Sequence, residues 1–408
     1  MEAEQSVRRA NYEALASSIP GARARTLSSC AGLTLCAANA PHQLVLRDAI
    51  EVLAGQPRDD LTNRPTSQAL SRWLRNHSEL GHLYIPPGLH CEELVVSEGG
   101  FRIFPGIFED EQWVAKVLLD LVLGDDLLPQ EFRVHARDCL LSVLHISEEI
   151  AKRADVERNT QTEFSSKDLV VPTGATLDRL AASVVFSDRE LASMLSPNQL
   201  RHLTELTVKV GDIELADSQA DSELWCRPLV RCDELGVIVA LPDTLLLAAR
   251  HRVIGLAFLY GCQEQLAETF GLGVVDSARC ALAQMGMLAD MPAPAEEQPV
   301  FDRAEMVLPC DRDKLCHLMV VWDDLADYDL QRPHGVWTSG PTRAQLEQRF
   351  RDVTELLYTA EDAPNEIMHC VVVQSLGRPY QLVVDTSGPS GFAPRIVSAS
   401  QCAHLTGK

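Results

Sequence analysis

Lysine is scarce in this chain: of 36 basic residues only six are lysines. Lys116, Lys152, Lys167, Lys209, Lys314 and Lys408 are preceded two positions earlier by Val114, Ile150, Ser165, Thr207, Arg312 and Thr406. A metal-dependent nuclease core of the restriction type needs a carboxylate and a lysine on one face of one strand. A two-residue spacing delivers that, because side chains alternate along a strand. No lysine here has such a neighbour, so that class is set aside. The arginine excess points to a GC-rich coding genome and hence to a bacterial source, and it carries no mechanism.

A basic segment is also missing. The net charge of −22 is spread as −8 over residues 1–150, −7 over 151–290 and −7 over 291–408. Nucleic-acid binding draws most of its affinity from cations meeting phosphates, and an evenly negative chain opposes that attraction at long range. A broad nucleic-acid face or an anionic-membrane face is therefore not expected. The longest apolar stretch, Leu245 to Tyr260, is interrupted by Arg250, His251 and Arg252, which does not suit a bilayer span. The first residues, Met1-Glu-Ala-Glu-Gln5, are acidic and lack the apolar core of a signal peptide. Twelve cysteines without such a leader read as reduced thiols, and the expected location is the cytoplasm.

What is present is an ordinary globular composition, with 46% apolar, 23% charged and 5% aromatic residues over 408 positions. That length exceeds what one core usually fills. The expected fold class is α+β or α/β, a mostly helical N-terminal region followed by two α/β units with mixed sheets. The expected domains are 1–160, mainly helical; 165–288, a central α/β unit; and 300–400, a smaller C-terminal α/β unit. Polar, aperiodic residues at 154–168 and the Pro- and Glu-rich stretch at 289–302 supply the linkers.

Periodicity gives the elements. Phe132, Cys139, Leu140, Val143, Leu144 and Ile150 recur at helical spacing, with Arg133, Arg137, Glu148 and Lys152 on the opposite face, and predict a helix from Gln130 to Arg153. Glu111–Leu123 predicts a second amphipathic helix, paired with the first as a helical hairpin that needs a partner surface. Strand character falls around Leu94–Phe104, and Asp168–Pro172 reads as a short buried strand. Helices are expected at 173–182 and 188–195, and a hairpin at 205–215 around Gly211. Leu235–Leu241 reads as a buried strand feeding a helix from Asp243 to Thr269, with Gly271 or Gly273 as its terminator. Further on come a strand at 315–322, a helix at 342–357 and a strand pair, 369–374 with 381–385. The tail after Ser387 reads as loose.

One constellation has chemical shape. Asp311-Arg312-Asp313-Lys314 precedes the strand that ends in Asp323-Asp324. A buried strand ending in carboxylates is one way to hold magnesium at a sheet edge, with Asp311 and Asp323 as metal ligands and Lys314 and Asp324 in catalysis. No Walker-type glycine loop accompanies it. The plainer role of Asp323 and Asp324 is to cap the following turn. Gly271-Leu-Gly273 lacks the third glycine of a dinucleotide fingerprint, and Gly388-Pro-Ser390-Gly391 falls short of a nucleophile elbow.

The pairs Cys30/Cys36, Cys226/Cys232 and Cys310/Cys316 have five-residue gaps, wider than structural zinc uses, and read as buried core cysteines. His135, Cys139 and His145 share one region of a helix without the acid of a zinc-helix motif. Arg227, Arg231, Arg250 and Arg252 could converge on an anion.

With no strong catalytic signature, the expected function is a non-catalytic interaction or regulatory protein, the recognition component of a larger bacterial assembly. Its expected partner is a protein, and no cofactor is expected. The alternative is a magnesium-dependent phosphotransfer or phosphodiester enzyme using Asp311, Asp323 and Asp324.

Overall fold

A computed structural model gives an α+β fold with a helical N-terminal region and mixed sheets. It describes residues 14–15, 17–20, 23–35, 40–55, 65–76, 91–104, 111–155, 174–213, 222–233, 235–284, 305–311, 314–323, 325, 328, 330, 343–358, 366–374 and 395–397. Contacts divide the chain into two units. The first holds Met1–Ala115 and Glu131–Leu256, and the second holds Lys116–Gln130 and Ala257–Lys408. No helix among the described residues is long and apolar enough to cross a membrane.

The first unit begins with α1 (Arg23–Thr34), α2 (Ala40–Gly55) and α3 (Ser67–Asn76). A hairpin follows, β1 (Glu92–Val96) with β2 (Gly99–Ile103), where strand character was expected. The helix α5 (Gln130–Arg153) matches its periodicity: Phe132, Ala136, Cys139, Leu140, Val143, Leu144 and Ile150 are all fully buried. Arg102 on β2 fixes the hairpin to α5 by a fork onto Glu148, with Nη2 to Oε1 at 2.6 Å. That bond holds the Arg102 guanidinium above its ordinary pKa. At the last residue of α5, five positions beyond Glu148, Arg153 donates to the Val185 carbonyl at 2.9 Å and lies over the Phe186 ring at 4.3 Å.

The rest of this unit is α6 (Gly174–Ser183), β3 (Val185–Phe186), α7 (Asp188–Met194), α8 (Pro197–Glu205), β4 (Thr207–Lys209), β5 (Leu229–Cys232) and β6 (Gly236–Val239), with the start of α9 (Leu245–Tyr260). Capping boxes at Ser187/Glu190 and Ser196/Gln199 start α7 and α8 by satisfying the first free amides. The sheet order is β3-β6-β5-β4, with β4 parallel to β5 and the other pairs antiparallel. The hairpin expected around Gly211 is not what β4 forms. Its partner is β5, and the Gly211 N–H donates to the Ala54 carbonyl at 2.8 Å. Leu215 and the strand expected at 168–172 lie outside the described residues.

The expected helix from Asp243 to Thr269 divides. A 3-10 turn at Pro242–Thr244 leads into α9, which ends at Gly261, and α10 (Gln263–Gln284) starts anew. Gly261 has φ +65°, Cys262 N–H reaches the Ala257 carbonyl at 2.9 Å and Gly261 N–H reaches Phe258 at 3.2 Å. This is a Schellman stop, and only glycine takes that φ without strain. Gly271 and Gly273, expected to terminate the helix, lie inside α10 instead. They serve close approach: a Cβ on Gly271 would overlap the Trp322 indole, and one on Gly273 would meet Val117 Cγ1 at 3.1 Å.

The second sheet has the order β10-β9-β8-β7, from β7 (Glu305–Asp311), β8 (Lys314–Trp322), β9 (Glu366–Gln374) and β10 (Arg395–Val397). β7 and β8 are antiparallel, while β8–β9 and β9–β10 are parallel. Parallel neighbours need a long crossover, and α11 (Arg343–Tyr358) lies between β8 and β9 in the chain. The tail read as loose contributes β10. Residues 381–385 lie outside the described residues. The segment expected as a helix at 111–123 is α4 (Glu111–Val117) followed by a π-helical turn, Leu118–Val122.

Candidate functional site

The β7–β8 hairpin decides where the predicted acids stand. Asp311 closes β7 and is in register with Lys314, the first residue of β8, so these two sit together at the hairpin end. Asp323 follows Trp322 at the opposite end of β8. Nine residues at about 3.3 Å each put roughly 30 Å between the two ends. One ion holds its oxygen ligands at about 2.0–2.6 Å, so the fold does not bring Asp311 and Asp323 to a shared metal. Asp324 lies outside the described residues. Asp323 is fully buried, and its Oδ1 accepts the Leu325 N–H at 2.9 Å. Leu325 takes φ +61°, and its carbonyl receives the Tyr328 N–H at 3.2 Å. Asp323 thus builds the turn that leaves the strand, as a short carboxylate two residues before an amide does.

Metal-type residues on α5 also go separate ways. His145 Nδ1 donates back to the Leu141 carbonyl at 2.7 Å, and its ring meets Phe101 edge-on at 5.3 Å. Cys139 is fully buried against the Ala249 carbonyl, with Sγ at 3.8 Å. Burial pushes its thiol up to about 12, and the same holds for Cys30. His135 reaches across to α8. Among the described residues no group of three or more His, Cys, Asp or Glu side chains is placed to hold a metal ion.

Three of the four arginines named as an anion cluster pair with a carboxylate. Arg227 pairs with Glu223 at 2.8 Å, Arg231 with Asp188 at 2.9 Å and Arg252 with Glu205. Arg227 and Arg252 both reach Glu205, one at its backbone carbonyl at 3.3 Å and the other at its carboxylate, while Arg231 is held by Asp188.

Three polar clusters emerge that no local motif announced. In the first unit, His135 Nδ1 and His202 Nε2 are 3.2 Å apart, with Glu205 Oε2 3.6 Å from the other nitrogen of His202. The His202 ring is only 2% exposed. Burial lowers its pKa; Glu205 opposes that shift, and His135 and Arg252 add to it.

A second cluster in the same unit is the buried pair Arg47–Asp243, Nη2 to Oδ2 at 2.5 Å, with the guanidinium 4.6 Å from the Trp225 ring centroid. In the second unit, Glu305 is 1% exposed and accepts both arms of Arg349, at 2.6 and 2.5 Å. His317 lies beside it with Nε2 3.8 Å from Glu305 Oε1, edge-on to Phe350. The partners are 67, 196 and 44 positions apart, which is why no sequence window held them.

Compared with family models, curated proteins and solved structures, the chain matches none.

Proposed function

We propose that the protein is a non-catalytic interaction or regulatory component whose partner is another protein, the recognition part of a larger bacterial assembly. The observation that carries this reading is the presentation of Leu127. Its side chain is 72% exposed, in a turn that is itself tied down: Asp125 Oδ1 accepts the Leu127 N–H at 2.8 Å, and the Asp125 N–H reaches the Val122 carbonyl at 3.1 Å. A hydrogen-bonded turn that holds a leucine in water forgoes about 1.5–3 kcal/mol of burial, which a partner surface would recover. In the same unit Leu259 is 73% exposed and Leu121 44%. The alternative, a magnesium-dependent phosphotransfer or phosphodiester enzyme using Asp311, Asp323 and Asp324, gains no support from Asp311 and Asp323 held at opposite strand ends.

The test is co-purification from the native host with tagged wild type beside Leu127→Gln and Leu259→Gln. The expected result is a partner enriched with wild type and lost with the variants, at unchanged melting temperature. A wild-type protein that elutes alone and monomeric, with no partner sensitive to these positions, overturns the proposal.

A further inference from the structure

The contact between His135 on α5 and His202 on α8 is a single nitrogen–nitrogen approach, Nδ1 to Nε2 at 3.2 Å, with the rings edge-on at 5.3 Å. Such a contact needs one N–H donor and one lone pair, so it depends on the number of protons the two rings share. We propose that this pair is a proton-operated joint, which holds α5 to α8 while at least one ring is neutral and releases when both are protonated.

With both rings neutral, one nitrogen donates to the other. A first proton leaves the contact intact, since the charged ring donates to the neutral one, and a charge-assisted bond is the stronger kind. A second proton puts two N–H groups face to face and two positive charges beside Arg252. Nothing then accepts, and the contact turns repulsive.

The surrounding charges decide whether the second proton is resisted. From α8, Glu205 lies 3.6 Å from His202 Nδ1, which is beyond hydrogen-bond reach, and that nitrogen is buried without a hydrogen-bond partner. The Glu205 carboxylate is already engaged by Arg252 of α9 and, at 3.8 Å, by Arg201 of α8. The Arg227 side chain donates to the Glu205 backbone carbonyl at 3.3 Å. From α5, Asp138 adds a negative charge that favours the imidazolium. Cys139, one residue on, is a buried thiol and stays neutral. Burial, with His135 and Arg252, outweighs the two acids.

His202 therefore takes its proton at a lower pH in the folded chain than in the unfolded one, where a histidine titrates near about 6.5. The unfolded chain binds the extra proton, so the stability held by the joint is complete above about pH 6.5 and is lost progressively as pH falls towards the folded value.

The experiment is a ring-carbon NMR titration of the full chain labelled at histidine, from pH 8 to pH 5, with His135→Gln and His202→Gln to assign the signals and thermal melts at each pH. His202 is expected to titrate below about 6.5 in wild type and to move upward in His135→Gln, because the neighbour that helps to lower it has gone. The melting temperature of wild type is expected to fall more steeply between pH 7 and pH 5 than that of His135→Gln. A His202 midpoint at or above about 6.5, or parallel loss of melting temperature in the two proteins, overturns the proposal. Should His202→Gln not fold, the wild-type titration and the part-exposed His135→Gln variant decide the question alone.

Discussion

Gly271 lies under the indole of Trp322: a side chain of even one carbon at this helix position would overlap the ring. Gly271 is buried in α10 and Trp322 ends β8, so the helix reaches its strand only because the glycine is bare. Gly271→Ala would gain roughly 0.5–1 kcal/mol of helix propensity but must displace an aromatic side chain in a packed layer. The overpacking cost of about 1–3 kcal/mol should prevail. Urea unfolding is expected to show a lower midpoint with an unchanged slope.

Asp243 is the counter-ion of a guanidinium that is only 6% exposed, and the Arg47 Nε and Nη1 have no hydrogen-bond partner. Asp243→Ala leaves that charge buried and uncompensated, at a cost of about 3–5 kcal/mol. Replacing both partners, Arg47→Met with Asp243→Leu, removes the charge together with its counter-ion and is expected to recover most of the loss. Two single variants and the double variant in one denaturation series check this. Additive losses would show that the pair is not the source.

Thiol chemistry should follow burial. With the thiols of Cys30, Cys139 and Cys226 pushed up to about 12, almost no thiolate exists at pH 8. Alkylation of the native protein at pH 8, followed by peptide mass spectrometry, is expected to leave these three unlabelled, whereas the same reagent in urea labels them. Rapid native labelling of Cys139 would mean that α5 opens far more readily than its buried face implies.

Much of the fold was legible because burial imprints a period on sequence. Helix α5 was read over its full length, since its apolar positions recur at helical spacing and the fold buries that same face. The same held for β8, whose residues from Leu315 to Trp322 are apolar except for His317. Glycine was less legible. Gly261 and Gly271 look alike in sequence, yet one ends a helix with positive φ and the other lets an indole approach. A terminator and a contact point differ in what lies next to them in space, and periodicity carries no record of that. Pairing was also hidden: β4 chose β5, more than a dozen positions on, and left the nearby segment after Gly211.

By itself the sequence determined the class of object: an α+β chain with a helical N-terminal region, a net charge of −22, and elements whose apolar periods set which surface each one buries. Only the tertiary structure decided how the charged side chains are matched. Asp311 and Asp323 read as companions twelve positions apart, but an extended strand carries them to opposite ends. His135 and His202, far apart in the chain, meet at 3.2 Å. The physical reason is that apolar burial follows local spacing along one element. The partner of a buried charge or ring nitrogen is set by which elements cross, and that is settled only when the chain has folded.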